Sequence, residues 1–376
     1  MKFLLIYVPN LRFSSFADPF RIYTLKEVLQ RISFPVTVDE NKLYYQIGIR
    51  SHSKGIFYKE AEIGRQIGNK RIFWIEPNCL ILNIVFAWEQ AVAKTSEKEV
   101  GMVASHRFPM YKVLNNSLDY IVDFFKTEKG KQLLQMASPG GAGRNKTLNQ
   151  DFFLNSKIYL PSLNEQLKTS ELIELIEDRI ETQIKIIDDY NSLKMGIYNC
   201  MFKENYADYK LKQLAYIVKG DQINNDQLLS NGSYYMMNGG ASPSGYLDSY
   251  NVSENTISIS EGGNSCGYVQ FNSSPFWSGG HCYTIQNVNS ALIENKYLYH
   301  YLKYKEKEIM NLRIGTGLPN IQKKDLENFT ILVPSLLIQR KNLALFEMLD
   351  EKISILNEEL ANLQKQKKYL LCNMFI

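Results

Sequence analysis

The stretch FEMLDEKISILNEELANLQKQKKYLLCNMF, Phe346–Phe375, decides the architecture of this chain. Phe346, Leu349, Ile353, Leu356, Leu360, Leu363, Lys367, Leu370 and Met374 follow one another at alternating intervals of three and four residues. A stripe of that period, held for about four heptads, is the seam of a coiled coil. A second copy lies 173 residues upstream, at Ile173, Ile176, Ile180, Gln183, Ile187, Tyr190, Lys194, Ile197 and Met201. Each seam admits one lysine, Lys194 and Lys367, at the same place. A polar seam residue lowers stability and fixes register, so the two helices are expected to pair with each other. The repeat makes the pair antiparallel, with one globular unit at each end. Helices of roughly 35 residues give a rod of about 50 Å, on the order of one and a half turns of B-DNA. The competing reading lays each stripe on its own domain; matched length, lysines and termini favour the pair.

The repeat extends beyond the seams. LPSLNEQ at Leu160–Gln166 returns as VPSLLIQ at Val333–Gln339, and NCMF ending at Phe202 returns as CNMF ending at Phe375. GAGRNKTLNQDF, ending at Phe152, loosely answers GTGLPNIQKKDL, ending at Leu326. Four segments result: a variable domain at 1–160, a helix at 161–202, a second variable domain at 203–333 and a second helix at 334–376. Within the first, KRIFWIEPNCLILNIVFAW reads as two buried strands broken at Pro77-Asn78, and Leu118–Ala137 as one helix. Within the second, SENTISISEGG and CGYVQF are strands joined by a turn at Gly262-Gly263-Asn264, and Asn295–Leu312 is the matching helix. Both domains are therefore α+β.

Composition narrows the class. The 376 residues suffice for two or three cores, and no segment has the ~20 apolar residues of a membrane span. Met1-Lys2-FLLIYV ends at Pro9, too short for a signal peptide's apolar region, so a cytoplasmic location and no membrane partner are expected. Five scattered cysteines without a CxxC pair suit a reducing compartment. A net charge of +4 permits a nucleic-acid partner without arguing for one.

SEGGNSCGYVQFNSSPFWSGGHCYT, Ser260–Thr284, invites a chemical reading through Cys266, His281 and Cys282. Zinc needs four ligands, or three and an open position, and adjacent His-Cys seldom both face one ion. A cysteine nucleophile needs an oriented base, and no orienting group stands out. The simplest reading makes the cysteines small buried hydrophobes and the glycines aids to turns and close approach. A Cys/His-dependent hydrolase or zinc protein with a dimerising coiled coil is the rival, and a protein-binding scaffold a third reading. PGGAGRNKT, Pro139–Thr147, fails as a phosphate loop because Arg144-Asn145 interrupt the required Gly-Lys-Ser/Thr. It remains a glycine loop carrying Arg144 and Lys146, mirrored by Arg313, Asn320, Lys323 and Lys324, which suits phosphate contacts. No paired carboxylates and no NPPY-type tetrapeptide of an adenine methyltransferase occur, so no catalytic residue and no metal ligand are assigned.

These residues resemble a known family. Two variable domains, each followed by a long helix, with GTGLPNIQKKDLENFTILVPSLLIQ before the second, are similar to the specificity subunit of type I restriction–modification systems. NGGASPSGYLDSYNVSENTISISEGGNSCGYVQF with FWSGGHCYTI looks like one type of target recognition domain. NIVFAWEQAVA with GMVASHRFPMY is similar to another type, and VPNLRF at Val8–Phe13 resembles the family's opening. The resemblance implies a non-catalytic reader of double-stranded DNA that holds two methyltransferase subunits, and that restriction subunits can join. It binds no cofactor itself; S-adenosylmethionine, and ATP with Mg, serve the partner subunits. Each recognition domain then reads half of a split target, with the helices setting the spacer. On that footing Asn238, Ser244, Tyr246 and Arg107 are the expected base contacts, and Arg144, Lys146, Lys323 and Lys324 the expected phosphate contacts.

Overall fold

The chain is described from a computed structural model covering residues 8–140, 146–202, 206–315, 317 and 319–376. It is α+β and falls into two compact units, Met1–Gln183 with Glu359–Ile376, and Ile184–Glu358. The units cut across the linear segments, because each one takes a part of both long helices. These helices run Leu163–Met201, 39 residues, and Leu336–Asn373, 38 residues. Each is roughly 57–58 Å long at ~1.5 Å per residue.

Both units are built on one plan. In the first, strand Arg21–Thr24 pairs antiparallel with Lys157–Leu160, the strand that leads into the first long helix. In the second, Ala207–Lys210 pairs antiparallel with Thr330–Val333, which leads into the second. The first unit adds an antiparallel four-stranded sheet in the order Leu29–Ile32, Met110–Val113, Leu80–Leu82, Val92–Lys94. The second adds one in the order Tyr216–Lys219, Cys282–Gln286, Thr256–Ser260, Val269–Asn272. The break between strands Ile72–Trp74 and Leu80–Leu82 falls where expected, with Asn78 at φ 57°.

The two domain helices differ from expectation in the same way. Leu118–Ala137 divides into Leu118–Lys126 and Glu128–Met136, and Asn295–Leu312 into Asn295–Tyr304 and Glu306–Met310. Thr127 is extended, with ψ 165°; its hydroxyl accepts from the Gly130 amide at 3.1 Å and donates to the Phe124 carbonyl at 2.6 Å. The hydroxyl thus caps a new helix, an event to which the apolar period is blind.

Seam positions turn inward in both units. In the first, Ile173 and Leu363 are buried, with Ile176, Ile180, Leu360 and Lys367 half-buried. In the second, Ile187, Phe346, Leu349 and Leu356 are buried, with Lys194 and Ile353 half-buried. The lysines have matched partners. Lys367 Nζ meets Glu177 Oε1 at 2.7 Å in the first unit, and Lys194 pairs with Asp350 in the second. Glu177 and Asp350 are themselves repeat equivalents, so one ion pair is made twice by exchanging helices. In each unit the helix segments run antiparallel, with Gln183 Nε2 donating to Glu359 Oε2 at 3.0 Å in the first. Partly exposed pairs add little energy; their value lies in register.

The repeated glutamines fasten each helix to its domain. Gln339 Nε2 donates to the carbonyls of Leu292 and Pro334, both at 2.8 Å, and its Oε1 accepts from the Glu294 amide at 2.8 Å. Gln166 does the same with Asn116 Oδ1, the Pro161 carbonyl and the Ser117 amide, at 2.7–3.0 Å. Both side chains are buried. Gln339→Leu should therefore cost about 2–3 kcal/mol, because it leaves backbone groups unpaired in the interior. Chemical denaturation of the full chain measures this; a cost below about 0.5 kcal/mol would mean the clamp is dispensable.

Each core is closed by the repeat's terminal Met-Phe. Phe202 and Phe346 sit among Tyr198, Tyr297 and Tyr301 in the second unit, and Met374 and Phe375 pack with Tyr120 in the first. Among the described residues, no helix is long and apolar enough to cross a membrane.

Candidate nucleic-acid interface

In the second unit the glycine-rich segments converge on Glu261. Its buried carboxylate accepts from Lys219 Nζ at 2.6 Å and from the Tyr283 hydroxyl at 3.3 Å, and its other oxygen lies 3.5 Å from His281 Nδ1. Lys219 and His281 remain exposed, so one buried acid holds two basic side chains at the surface. The Glu261 carbonyl accepts from the Ile321 amide at 2.9 Å, and Gly263 N–H donates to Pro319 at 3.1 Å. The loop before Ile321 is closed by Ile314 and Asn320, whose backbones exchange hydrogen bonds at 2.8 and 3.0 Å. Arg313 stands exposed on its shoulder.

Asn238 joins the same cluster, though not as a free reader. Its Oδ1 accepts the His281 amide at 2.9 Å, which anchors the side chain and leaves its NH₂ to donate. Gly239 has φ +77°, and a Cβ there would lie 3.1 Å from His281 Cβ and 3.3 Å from the Gly262 carbonyl. Glycine is required both for that left-handed backbone and for the close approach. Ser244 is exposed in the hairpin between Tyr234–Met237 and Gly245–Leu247, and Tyr246 is exposed on its second strand. Lys323 and Lys324 are exposed at the start of helix Lys323–Glu327, with Lys323 turned to Glu327 at 3.7 Å.

The two cysteines of the segment are buried with their thiols against backbone carbonyls. Cys266 Sγ donates to the Glu261 carbonyl at 3.0 Å, and Cys282 Sγ lies 3.6 Å from the Tyr283 carbonyl. Burial pushes both thiols up, Cys282 to about 11, the opposite of what a nucleophile or ligand needs. Among the described residues, no three His, Cys, Asp or Glu side chains are grouped to hold a metal.

In the first unit Arg107 is exposed in the turn between strands Val103–Ser105 and Met110–Val113, and its carbonyl accepts from the Ile84 amide at 3.0 Å. Ile84 in turn accepts from Leu148 N–H at 2.8 Å, which brings Lys146 to the same side; Lys146 Nζ lies 4.9 Å from the centre of the Trp88 ring. Arg144 lies outside the described residues. The sequence reading did not single out Arg31, Arg71 and His106, which line a cleft beside Arg107. The only signal for them would have been strand register.

Comparison with known proteins adds the family. Residues 203–365 match the family described as the type I restriction modification DNA specificity domain. A putative type I specificity subunit of Mycoplasma pneumoniae is 34% identical over 155 residues, which is 41% of this chain and 41% of that protein. One of Mycoplasma genitalium is 32% identical over 127 residues, 34% of this chain and 33% of that protein. These alignments span less than half of each relative's length. The crystal structure of the S subunit of a type I restriction–modification system from M. genitalium superposes with a TM-score of 0.67 at 16% identity, covering 98% of this chain and 99% of that one. At that identity the likeness establishes the fold, and the sequence similarity lies in the matched parts of the chain. With a duplicated domain, a duplicated helix and a match to the type I restriction modification DNA specificity domain over residues 203–365, the chain is similar to the specificity subunits of type I restriction–modification systems in its second half and shares their fold throughout.

Proposed function

We propose that the chain is the DNA-recognition subunit of a type I restriction–modification complex and reads a bipartite, asymmetric target. One observation carries this reading. Two units of the same plan present different surface chemistry, a glutamate-anchored loop cluster in one and exposed arginines in the other, and both long helices are continuous through both units. Different surfaces read different half-sites, and the continuous helices set the unread spacer. The chain itself is non-catalytic. Two methyltransferase subunits dock on it and bring S-adenosylmethionine; restriction subunits, where present, bring ATP with Mg. A cytoplasmic location follows from the reading.

Within it, Asn238, Ser244, Tyr246 and Arg107 contact bases, while Lys146, Arg313, Asn320, Lys323 and Lys324 contact the backbone, with Arg144 expected beside Lys146. Mutating a phosphate contact weakens all sequences alike, whereas a base contact matters at one position.

The test is the position of methylated adenines in cells that express the chain with its methyltransferase. A split, asymmetric motif is expected; a continuous or palindromic one would overturn the reading. Adding one heptad to both helices should lengthen the spacer by about 3 base pairs, from ~1.5 Å per residue and ~3.4 Å per base step. Both half-sites should stay as they were, and a changed half-site would refute the ruler.

A further inference from the structure

A cavity of about 790 Å³ in the first unit has three of its lining lysines matched by carboxylates: Lys94 meets Asp119, Lys126 meets Asp123 and Glu177, and Lys367 meets Glu177. It is a groove of internal ion pairs. A smaller cleft of about 240 Å³ in the same unit is different in kind. Arg31, Arg71 and His106 line it with Ser33 and Gln150, and no carboxylate does. All three basic residues are exposed, and among the described residues none makes an ion pair. Small-molecule sites usually occupy about 300–1,000 Å³, so the cleft suits the edge of a base with its phosphate better than a cofactor.

Three strands aim these groups. Arg31 stands opposite Tyr111 in the four-stranded sheet, and the Tyr111 hydroxyl donates to Gln150 Oε1 at 3.0 Å, so the glutamine is held by its oxygen with its NH₂ left to donate. Arg71 immediately precedes strand Ile72–Trp74, and His106 immediately follows strand Val103–Ser105, its antiparallel partner. His106 N–H donates to the Arg71 carbonyl at 3.2 Å, which fixes both residues on one rim. Arg107 extends that rim. A planar guanidinium on a rigid strand end is the group that pairs bidentately with guanine O6 and N7, and a second cation beside it neutralises phosphate.

We propose that this cleft reads a guanine of the first unit's half-site, with Arg71 on the base edge, Gln150 donating beside it, and Arg31 and His106 on the flanking phosphates; the inference rests on the DNA-reading function proposed above. The experiment enriches a randomised duplex library on the full chain in complex with its methyltransferase subunits. The wild-type complex should enrich a split motif with at least one guanine in one half. Arg71→Ala should abolish the preference at that guanine, by roughly tenfold to a hundredfold, and leave the other half-site intact. Arg71→Lys keeps the charge but not the fork, so it should retain binding while losing the same preference. Arg31→Ala should weaken all sequences together and flatten the salt dependence. An unchanged motif from Arg71→Ala and Arg71→Lys, at unchanged thermal midpoints, would overturn the assignment of the cleft alone. No motif from the wild-type complex would overturn the recognition function and the cleft with it.

Discussion

Phe346→Ala should lower the unfolding free energy of the second unit by about 3–5 kcal/mol, the range for emptying a fully buried phenylalanine site. Phe346 has no exposed surface. Its ring centre lies 4.8 Å from Tyr198 on the first long helix and 5.7 Å from Phe202 just past that helix's end, and 4.9 Å from His300 on helix Asn295–Tyr304. The side chain therefore holds three elements together, and rigid aromatic neighbours on all of them resist collapse into the void. Phe375→Ala is the counterpart in the first unit, where the ring lies 4.7 Å from Tyr120. Urea unfolding with extrapolation to water measures both. A loss below about 1 kcal/mol for Phe346→Ala would show that the helix pair lies on the domain without completing its core.

The seams were legible because a seven-residue period is a local property, and burial respects it at every position from Ile173 to Met201 and from Phe346 to Met374. The repeat was equally plain, and it exposed Gln166 and Gln339 as equivalents; their use as clamps needed the loops at Asn116 and Leu292 brought alongside. The break at Thr127 was missed because apolar residues continue in phase on both sides of it, although a threonine ahead of a glutamate is an ordinary capping signal. Recognition surfaces were the least legible part. Asn238 was expected to contact DNA, and its anchoring by the His281 amide, 43 residues further on, had no sequence signal. Arg31, Arg71 and His106 lie far apart in the chain and come together only through the registers Arg31↔Tyr111 and Ser105↔Ile72.

Acid should destabilise the second unit through His300 by roughly 3 kcal/mol between pH 7 and 4. The imidazole is buried against Phe346 and Tyr198, with the Tyr198 hydroxyl 2.8 Å from Nδ1. Burial, reinforced by the Lys194 ammonium, pulls its pKa from 6.5 down to about 3. Asp350 lies 3.9 Å away but is already engaged by Lys194, so it holds no proton on the ring. Because the folded value is the lower one, the stabilisation is complete above pH 6.5. It is lost as pH falls toward 3, at about 1.4 kcal/mol per unit. Asp123, buried on helix Leu118–Lys126 of the first unit, has the opposite sign. Burial lifts its carboxyl from 3.8 to about 6, so its contribution is complete below pH 3.8 and fades as pH rises through 6. Replacing His300 with Gln should therefore flatten the acid limb of the second unit, and Asp123→Asn should steepen that of the first. Hydrogen exchange read separately on Asn295–Tyr304 and Leu118–Lys126 follows each unit on its own. If the wild-type chain and His300→Gln lost protection in parallel on acidification, the buried imidazole would not be the titrating group.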